Sequence, residues 1–559
     1  MKIPVFKPFL IAGMAMAVAG CSSSAPTIVS TPIENIDTMP LKVTDLTETE
    51  LKGWGGADLV EDTIPGMSVE KAYTEIIKNT KGNKVIVAVI DSGVDITHED
   101  LDAVIWTNED EIPNNNKDDD RNGYVDDIHG WNFLGDAVEE NMEYTRILKK
   151  LKPKFDGVPV ASVKPEDKKE FELYKRAKAE YDKEYNEALG MKNQYEGIRQ
   201  QLEMAHKAVS AKLGKEDYTL EELQAMEANT EEMQQYKAFL TQVMTNIKGS
   251  IPESMVQLDE AIDYFSGRLN SHFNLELDGR AVVGDDPDDI NDTNYGNNDV
   301  TGPDPKMKDI KHGTHVAGII AAERDNNIGI KGVAKNVLIM PIRAVPDGDE
   351  YDKDIALAIR YAVDNGAQII NTSFGKYFST HPEWVRDAIK YAEQHDVLIV
   401  NAGGNEGLDL DTNTVYPNDQ DVENPQEFAD NFLTVGALSF TYGSNMIASF
   451  SNYGKNNVDV FAPGTQIWST TPNNGYEFLQ GTSMAAPAVA GIAALIRSYY
   501  PKLSAEQVKK VIMDSGLSSS ATVVIGGDSS NTKKFSELST SGKMANLYNA
   551  FILADKLSK

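Results

Sequence analysis

One cysteine, Cys21, stands in 559 residues. No disulfide can form within the chain, so its stability must come from a buried core, with bound metal as the other available source. Basic residues are scarce as well: 53 Lys and Arg face 86 Asp and Glu, a formal charge of −33. A nucleic-acid partner needs a basic footprint, so none is expected, and a strongly acidic balance favours solubility outside the cell. Beyond the first 21 residues no apolar run approaches the ~20 residues of a membrane-spanning helix. What remains is length enough for one α/β domain of ~300 residues plus an insert.

The N-terminus is the exception. Lys2 and Lys7 give a basic start, Pro8 to Ala19 a short apolar region, and Val18-Ala19-Gly20-Cys21 resembles a bacterial lipobox. That resemblance implies a signal peptide over 1–20, acylation of Cys21, and attachment to a membrane through lipid alone. The plainer alternative is an ordinary secretory signal followed by an idle cysteine. Ser22 rather than aspartate follows the cysteine, which favours the outer over the inner membrane of the bacterial cell envelope. Residues 21–53 read as a tether, rich in Ser, Thr and Pro from Ser22 to about Thr44.

Apolar, β-branched runs at Lys84–Ile90, Asn336–Ile342, Gln368–Thr372 and Val397–Asn401 predict buried parallel strands. They alternate with amphipathic stretches such as Asp352–Asn365 and Glu383–Gln394, so the fold class is α/β with a doubly wound parallel sheet.

Three islands carry chemistry. Ile90-Asp91-Ser92-Gly93 ends the first strand in an acid, and His312-Gly313-Thr314-His315 opens a helix of small residues with a histidine in its first turn. Gln480-Gly481-Thr482-Ser483-Met484-Ala485-Ala486-Pro487 puts a serine at the mouth of another helix, where a free N–H and the positive end of the dipole await it. A serine needs an imidazole to take its proton, and an imidazole needs a carboxylate to fix its tautomer. Asp91, His312 and Ser483, in that order along the chain, resemble the subtilase family of serine peptidases. His315, one turn on, reads as a packing histidine.

The resemblance implies a subtilisin-like fold, peptide-bond hydrolysis through an acyl-enzyme with broad specificity, protein or peptide substrates, and no cofactor for the chemistry. It carries the oxyanion-hole asparagine onto Asn405 in Asn401-Ala402-Gly403-Gly404-Asn405, and the peptide-pairing edge onto Ser373, Phe374 and Gly375. The core islands Phe432–Ala437 and Val460–Gly464 are similar too.

Two departures from the family pattern stand out. The short distance from Cys21 to Asp91 leaves little room for a folded prosegment, so the mature chain is expected to start at Cys21. Asp91 and His312 lie 221 positions apart, where compact relatives need a few tens. Residues 137–277 fill that gap, between catalytic parts at 54–136 and 278–515. An apolar stripe from Phe171 to Val209, a break at Gly214, and a second stripe from Leu220 to Ile247 predict a coiled-coil-like antiparallel hairpin of two long helices. It is either a structural arm or a lid or docking arm with a protein partner. Residues 516–559 form an extension without a readable motif, helical over Leu547–Leu557.

Asp118, Asp120 and Asn122 have the alternate spacing of calcium-loop oxygens, with Gly123 at the turn. The closing glutamate of an EF-hand is missing, so the expectation is a calcium-type loop supporting structure. Asp100 matches a position that binds structural calcium in some relatives. The acidic loop Asp285–Asp304 is expected to be only a flexible approach to His312. Two other functions stay open: a scaffold lipoprotein that kept the fold without activity, and a serine esterase.

Overall fold

The computed structural model describes residues 28–38, 44–246, 249–421 and 424–559, together with Pro26 and Lys42. The signal-like segment and Cys21 lie outside the described residues. No helix among the described residues is long and apolar enough to cross a membrane.

A nine-stranded sheet forms the centre. An inner strand, Val85–Asp91, pairs in parallel with Val337–Arg343 on one side and Ile369–Thr372 on the other. Leu398–Ala402, Phe432–Leu438 and Val460–Pro463 continue the sheet in parallel beyond Ile369–Thr372. Strand order therefore reverses at Val85–Asp91, and the crevice at such a switch point, beyond the carboxyl ends of the strands, is where open α/β sheets place their sites. Asp91 is the last residue of that strand.

The period of two along Val85–Asp91 sorts the side chains onto two cores. Val85, Val87 and Val89 face one layer, with the helices Lys311–Ala321 and Thr482–Tyr499. Ala88 and Ile90 face the other, with Asp352–Asp364 and Pro382–Gln394. The Thr482–Tyr499 helix is buried along nearly its whole length, which explains its run of small and apolar residues. A Cβ on Gly491 would sit 2.6 Å from the Val333 Cβ, so glycine is what lets this helix approach so closely.

Three regions differ from the sequence reading. The described part of 21–53 is packed, not a free tether. Ile36 is buried, Asp37 accepts hydrogen bonds from Ser519 and Ser520, and the Ile33 N–H donates to Asn549 at 2.8 Å. A few apolar residues within a polar stretch suffice to dock it on the chain's far end. That far end is part of the sheet: Lys543–Met544 pairs with Val460–Pro463, and Leu517–Ser518 adds an antiparallel edge.

The insertion is more broken than a two-helix hairpin. A helix at Glu143–Phe155 precedes a 46-residue helix, Lys168–Leu213, which ends on Gly214 in the left-handed conformation at φ 73°. The return path is split into Leu220–Ala225, Glu231–Asn246 and Ile251–Asn270. Thr219 with Glu222 and Ser250 with Glu253 each form a capping box, so the sequence restarts a helix twice. The outer part buries its own stripes, around Leu202, Val209, Leu223 and Leu240. The base, around Tyr144, Leu148, Phe171 and Phe273, packs on Phe378 of the catalytic domain.

Candidate active site

Asp91 is buried, and its Oδ1 lies 2.7 Å from His312 Nδ1. The Ser92 N–H donates to the same oxygen at 2.7 Å and fixes the carboxylate. His312 reaches it because the next residue is glycine. A Cβ on Gly313 would fall 2.1 Å from the Gly93 carbonyl oxygen, so no other residue lets this helix come so near the strand end. Burial pushes the His312 imidazole down, but the Asp91 charge and hydrogen bond outweigh it, and the net shift is upward from 6.5.

Ser483 is the second residue of the Thr482–Tyr499 helix. Its hydroxyl donates to the Ser373 carbonyl at 3.1 Å, and the Ser373 hydroxyl donates back to the Ser483 carbonyl at 2.9 Å. The hydroxyl is therefore turned toward Ser373, not bonded to His312; free active sites often hold such bonds loosely before substrate arrives. Asp91, His312, Ser483, Asn405, Ser373, Phe374 and Gly375 all line one cleft of about 690 Å³.

Asn405 is oriented by Thr482. Its Oδ1 accepts the Thr482 N–H at 2.8 Å and the Thr482 hydroxyl at 3.1 Å, while that hydroxyl accepts the Gly404 N–H at 2.9 Å. With the oxygen end occupied, the amide NH₂ is the end left to donate into the cleft beside the Ser483 N–H at the helix mouth. Removing one preorganised donor of this kind typically lowers turnover by about 10²–10³.

Three functional neighbours were not singled out in the sequence. Arg343 is buried and donates to the Ser92, Gly135 and Ala137 carbonyls, to the Asn132 side chain and to Asp309, which pins the turn after Asp91. Thr482 is a small hydroxyl within a motif dominated by its neighbour. Glu406 directly follows Asn405. Burial holds its carboxyl above the ordinary range, and the Asn405 N–H, Asn452 and the Tyr377 hydroxyl bond it. Only its adjacency to Asn405 could have drawn attention to it. His315 is a packing residue: its Nε2 lies 3.1 Å from both the Ile467 and Glu477 carbonyls, and burial pushes it down to about 3.

The Subtilase family pattern matches residues 82–542, most of the chain. The chain belongs to the subtilase family. Similar proteins include the thermophilic serine proteinase of Bacillus sp. (strain AK1), 38% identical over 45% of this chain and 53% of that one. Subtilisin DY of Bacillus licheniformis is 39% identical over 38% of this chain and 70% of its own length. Subtilisin-like protease 1 of Plasmodium falciparum is 32% identical over 49% and 41%. The chain thus spans about half the length of the first curated relatives it matches. A solved protease from Pseudoalteromonas arctica is 28% identical over 44% of this chain and 70% of that one, with a TM-score of 0.35. The family's match runs through residue 542, well past 515, in keeping with the tail's place in the sheet.

The acidic loop is arranged differently from its spacing. Glu111, Asp120 and Asp127 bring carboxylate oxygens within 4.8 Å of one another. Of the expected ligands, Asp120 is in this group. Asp118 turns back to accept the Asn122 and Gly123 N–H groups, and the Asn122 amide nitrogen donates to Asp120 and Asp127 at 3.0 Å. The donor set fits a hard cation: all oxygens, with one buried Glu111 oxygen unbonded and Asp127 pushed up to about 6 by burial. Asp100 is fully buried, and its oxygens are occupied by Asn326, the Ile330 N–H and Tyr476. The Asp285–Asp304 loop is anchored rather than free: Asp285 pairs with Arg280 at 2.8 Å and Lys353 at 2.6 Å. Those cations come from outside the loop, where local composition cannot show them.

Proposed function

We propose that this subtilase is a lipid-anchored, extracytoplasmic serine endopeptidase. The observation that carries the peptidase reading is the 2.7 Å Asp91–His312 pair in one cleft with Ser483 and the tethered Asn405 amide. Ser483 Oγ attacks the peptide carbonyl as His312 Nε2 takes its proton. Asp91 keeps the other ring nitrogen protonated and stabilises the imidazolium. The oxyanion forms between the Ser483 N–H and the Asn405 amide. His312 then protonates the departing amine, leaving an acyl-enzyme that water hydrolyses by the same steps in reverse. An extended substrate backbone pairs along Ser373–Gly375, which gives affinity with little side-chain information and hence broad specificity.

Ser483→Ala against wild type tests this, by casein hydrolysis and labelling with an active-site fluorophosphonate. Both signals disappear together in the variant if Ser483 is the nucleophile. Wild-type labelling without proteolysis favours an esterase. A wild type that neither labels nor cuts, with and without calcium, favours a scaffold.

The lipobox-like Val18–Cys21 supports anchoring at Cys21, with the outer membrane favoured. Cys21→Ala then moves the protein from the membrane fraction to the soluble fraction and abolishes its labelling by radioactive palmitate. Structural calcium at Glu111, Asp120 and Asp127, with no part in the chemistry, completes the proposal.

A further inference from the structure

We propose that Arg146, on the first helix of the insertion, is a positioning residue for the peptide-binding edges of the cleft. The inference rests on the peptidase reading above. The lining of the cleft includes two backbone segments, Asp347–Glu350 and Ser373–Gly375. The first of these is a loop at the carboxyl end of the sheet, with Gly348 at φ 146°. Such a loop holds its shape only if something outside it bonds its backbone.

The insertion supplies those bonds. Its entry segment runs beside the loop: the Asp347 N–H donates to the Val138 carbonyl at 2.8 Å, and the Glu140 N–H donates to the Asp347 carbonyl at 2.9 Å. The Arg146 guanidinium then donates to the Asp349 carbonyl at 2.8 Å and the Glu350 carbonyl at 3.0 Å. Its planar fork serves the Asn141 carbonyl and the Glu143 carboxylate as well, a set of directions that one ammonium cannot cover.

Lys376 joins the two segments. It directly follows Ser373–Gly375, and its buried ammonium donates to the same Glu350 carbonyl at 2.7 Å. It also pairs with Asp352 at 3.0 Å and lies 3.5 Å from Glu143, the acid that Arg146 holds. Two residues on, Phe378 packs against Tyr144 of the insertion's first helix, 5.8 Å between ring centroids. Both segments are thus tied to one helix through buried charge and an aromatic contact. A peptide that pairs with these segments loses backbone bonds if either one shifts, whereas a short ester that touches only the neighbourhood of Ser483 does not.

The test compares kcat/KM for a hexapeptide anilide with kcat/KM for a single-residue ester, in wild type, Arg146→Ala and Arg146→Lys. Each backbone hydrogen bond to the peptide is worth about fivefold. The expected result is a peptide-to-ester ratio at least fivefold lower in Arg146→Ala, carried by KM, and an intermediate ratio in Arg146→Lys. Thermal melts establish that each variant is folded. If Arg146→Ala does not fold, the ratio is read on Arg146→Lys. A ratio within twofold of wild type in the folded variants overturns the proposal, as does an equal loss on both substrates. A wild type that cleaves neither substrate fails the peptidase reading itself, a separate outcome.

Discussion

Replacing Asn405 with leucine removes an amide donor that acts in the transition state, together with the oxygen by which Thr482 tethers it. The side chains are similar in size, Asn405 is exposed, and the cleft keeps its shape. The loss that bears on turnover is one donor to the developing oxyanion, which lowers kcat by about 10²–10³, or ~2.7–4 kcal/mol, with KM little changed. The loss of the Thr482 tethers is read separately, in a thermal melt. Thr482→Val perturbs the same donor one step back. The Thr482 N–H at 2.8 Å still holds the Asn405 oxygen, but the hydroxyl bond at 3.1 Å is lost. Losing one of two such tethers, at about 1 kcal/mol, lowers kcat roughly fivefold. The hydroxyl bonds Asn405 and also accepts the Gly404 N–H at 2.9 Å, which holds the turn that carries Asn405. Both of its bonds serve that side chain, so the double variant should match Asn405→Leu within twofold in kcat. The assay is kcat and KM on a peptide anilide, with active-site concentration from fluorophosphonate titration. A fall of less than tenfold in Asn405→Leu, or full additivity in the double variant, would refute the orientation argument.

Three further outcomes follow from the same geometry. His312 works as a base when neutral and its folded pKa lies above 6.5, so kcat/KM should rise with pH through a midpoint above 6.5. In Asp91→Asn the charge that raises the ring is gone, so the midpoint in a pH–rate profile falls relative to wild type and kcat falls by about 10⁴. Asp127 is raised from 3.8 to about 6, so its ionisation opposes folding, and metal-free protein should lose stability as pH rises through that window. Calcium removes this loss: EDTA at pH 7 lowers the Tm of wild type but not of Asp127→Asn, and a wild-type Tm indifferent to EDTA counts against the site. Arg343→Leu leaves Asp309 and three carbonyls without their buried donor, which should cost about 3–5 kcal/mol in urea unfolding; a change below about 1 kcal/mol contradicts its role in pinning Ser92.

The sequence by itself determined the elements whose causes are local. The run Lys84–Ile90 carries its own β-branched, apolar signal, and the strand is found one residue along, at Val85–Asp91. The helix at Leu547–Leu557 was legible from its own period. Asp91, His312 and Ser483 are legible from a strand end and two helix mouths in the chain order of the subtilase family, and Asn405 from the resemblance to that family. The glycine after His312 has a steric reason that the structure shows. Tertiary structure alone decided what depends on partners distant in the chain. The packing of Ile36 and Asp37 depends on Ser519 and Ser520, and the anchoring of Asp285 depends on Lys353. The acid cluster forms from Glu111, Asp120 and Asp127 because loop backbone conformation, not residue spacing, aims the carboxylates. Arg146 looks like any surface arginine on an amphipathic helix until the fold brings Asp349 and Glu350 to it across 203 and 204 positions. Long-range contacts of that kind follow from chain closure in three dimensions, which no local pattern encodes.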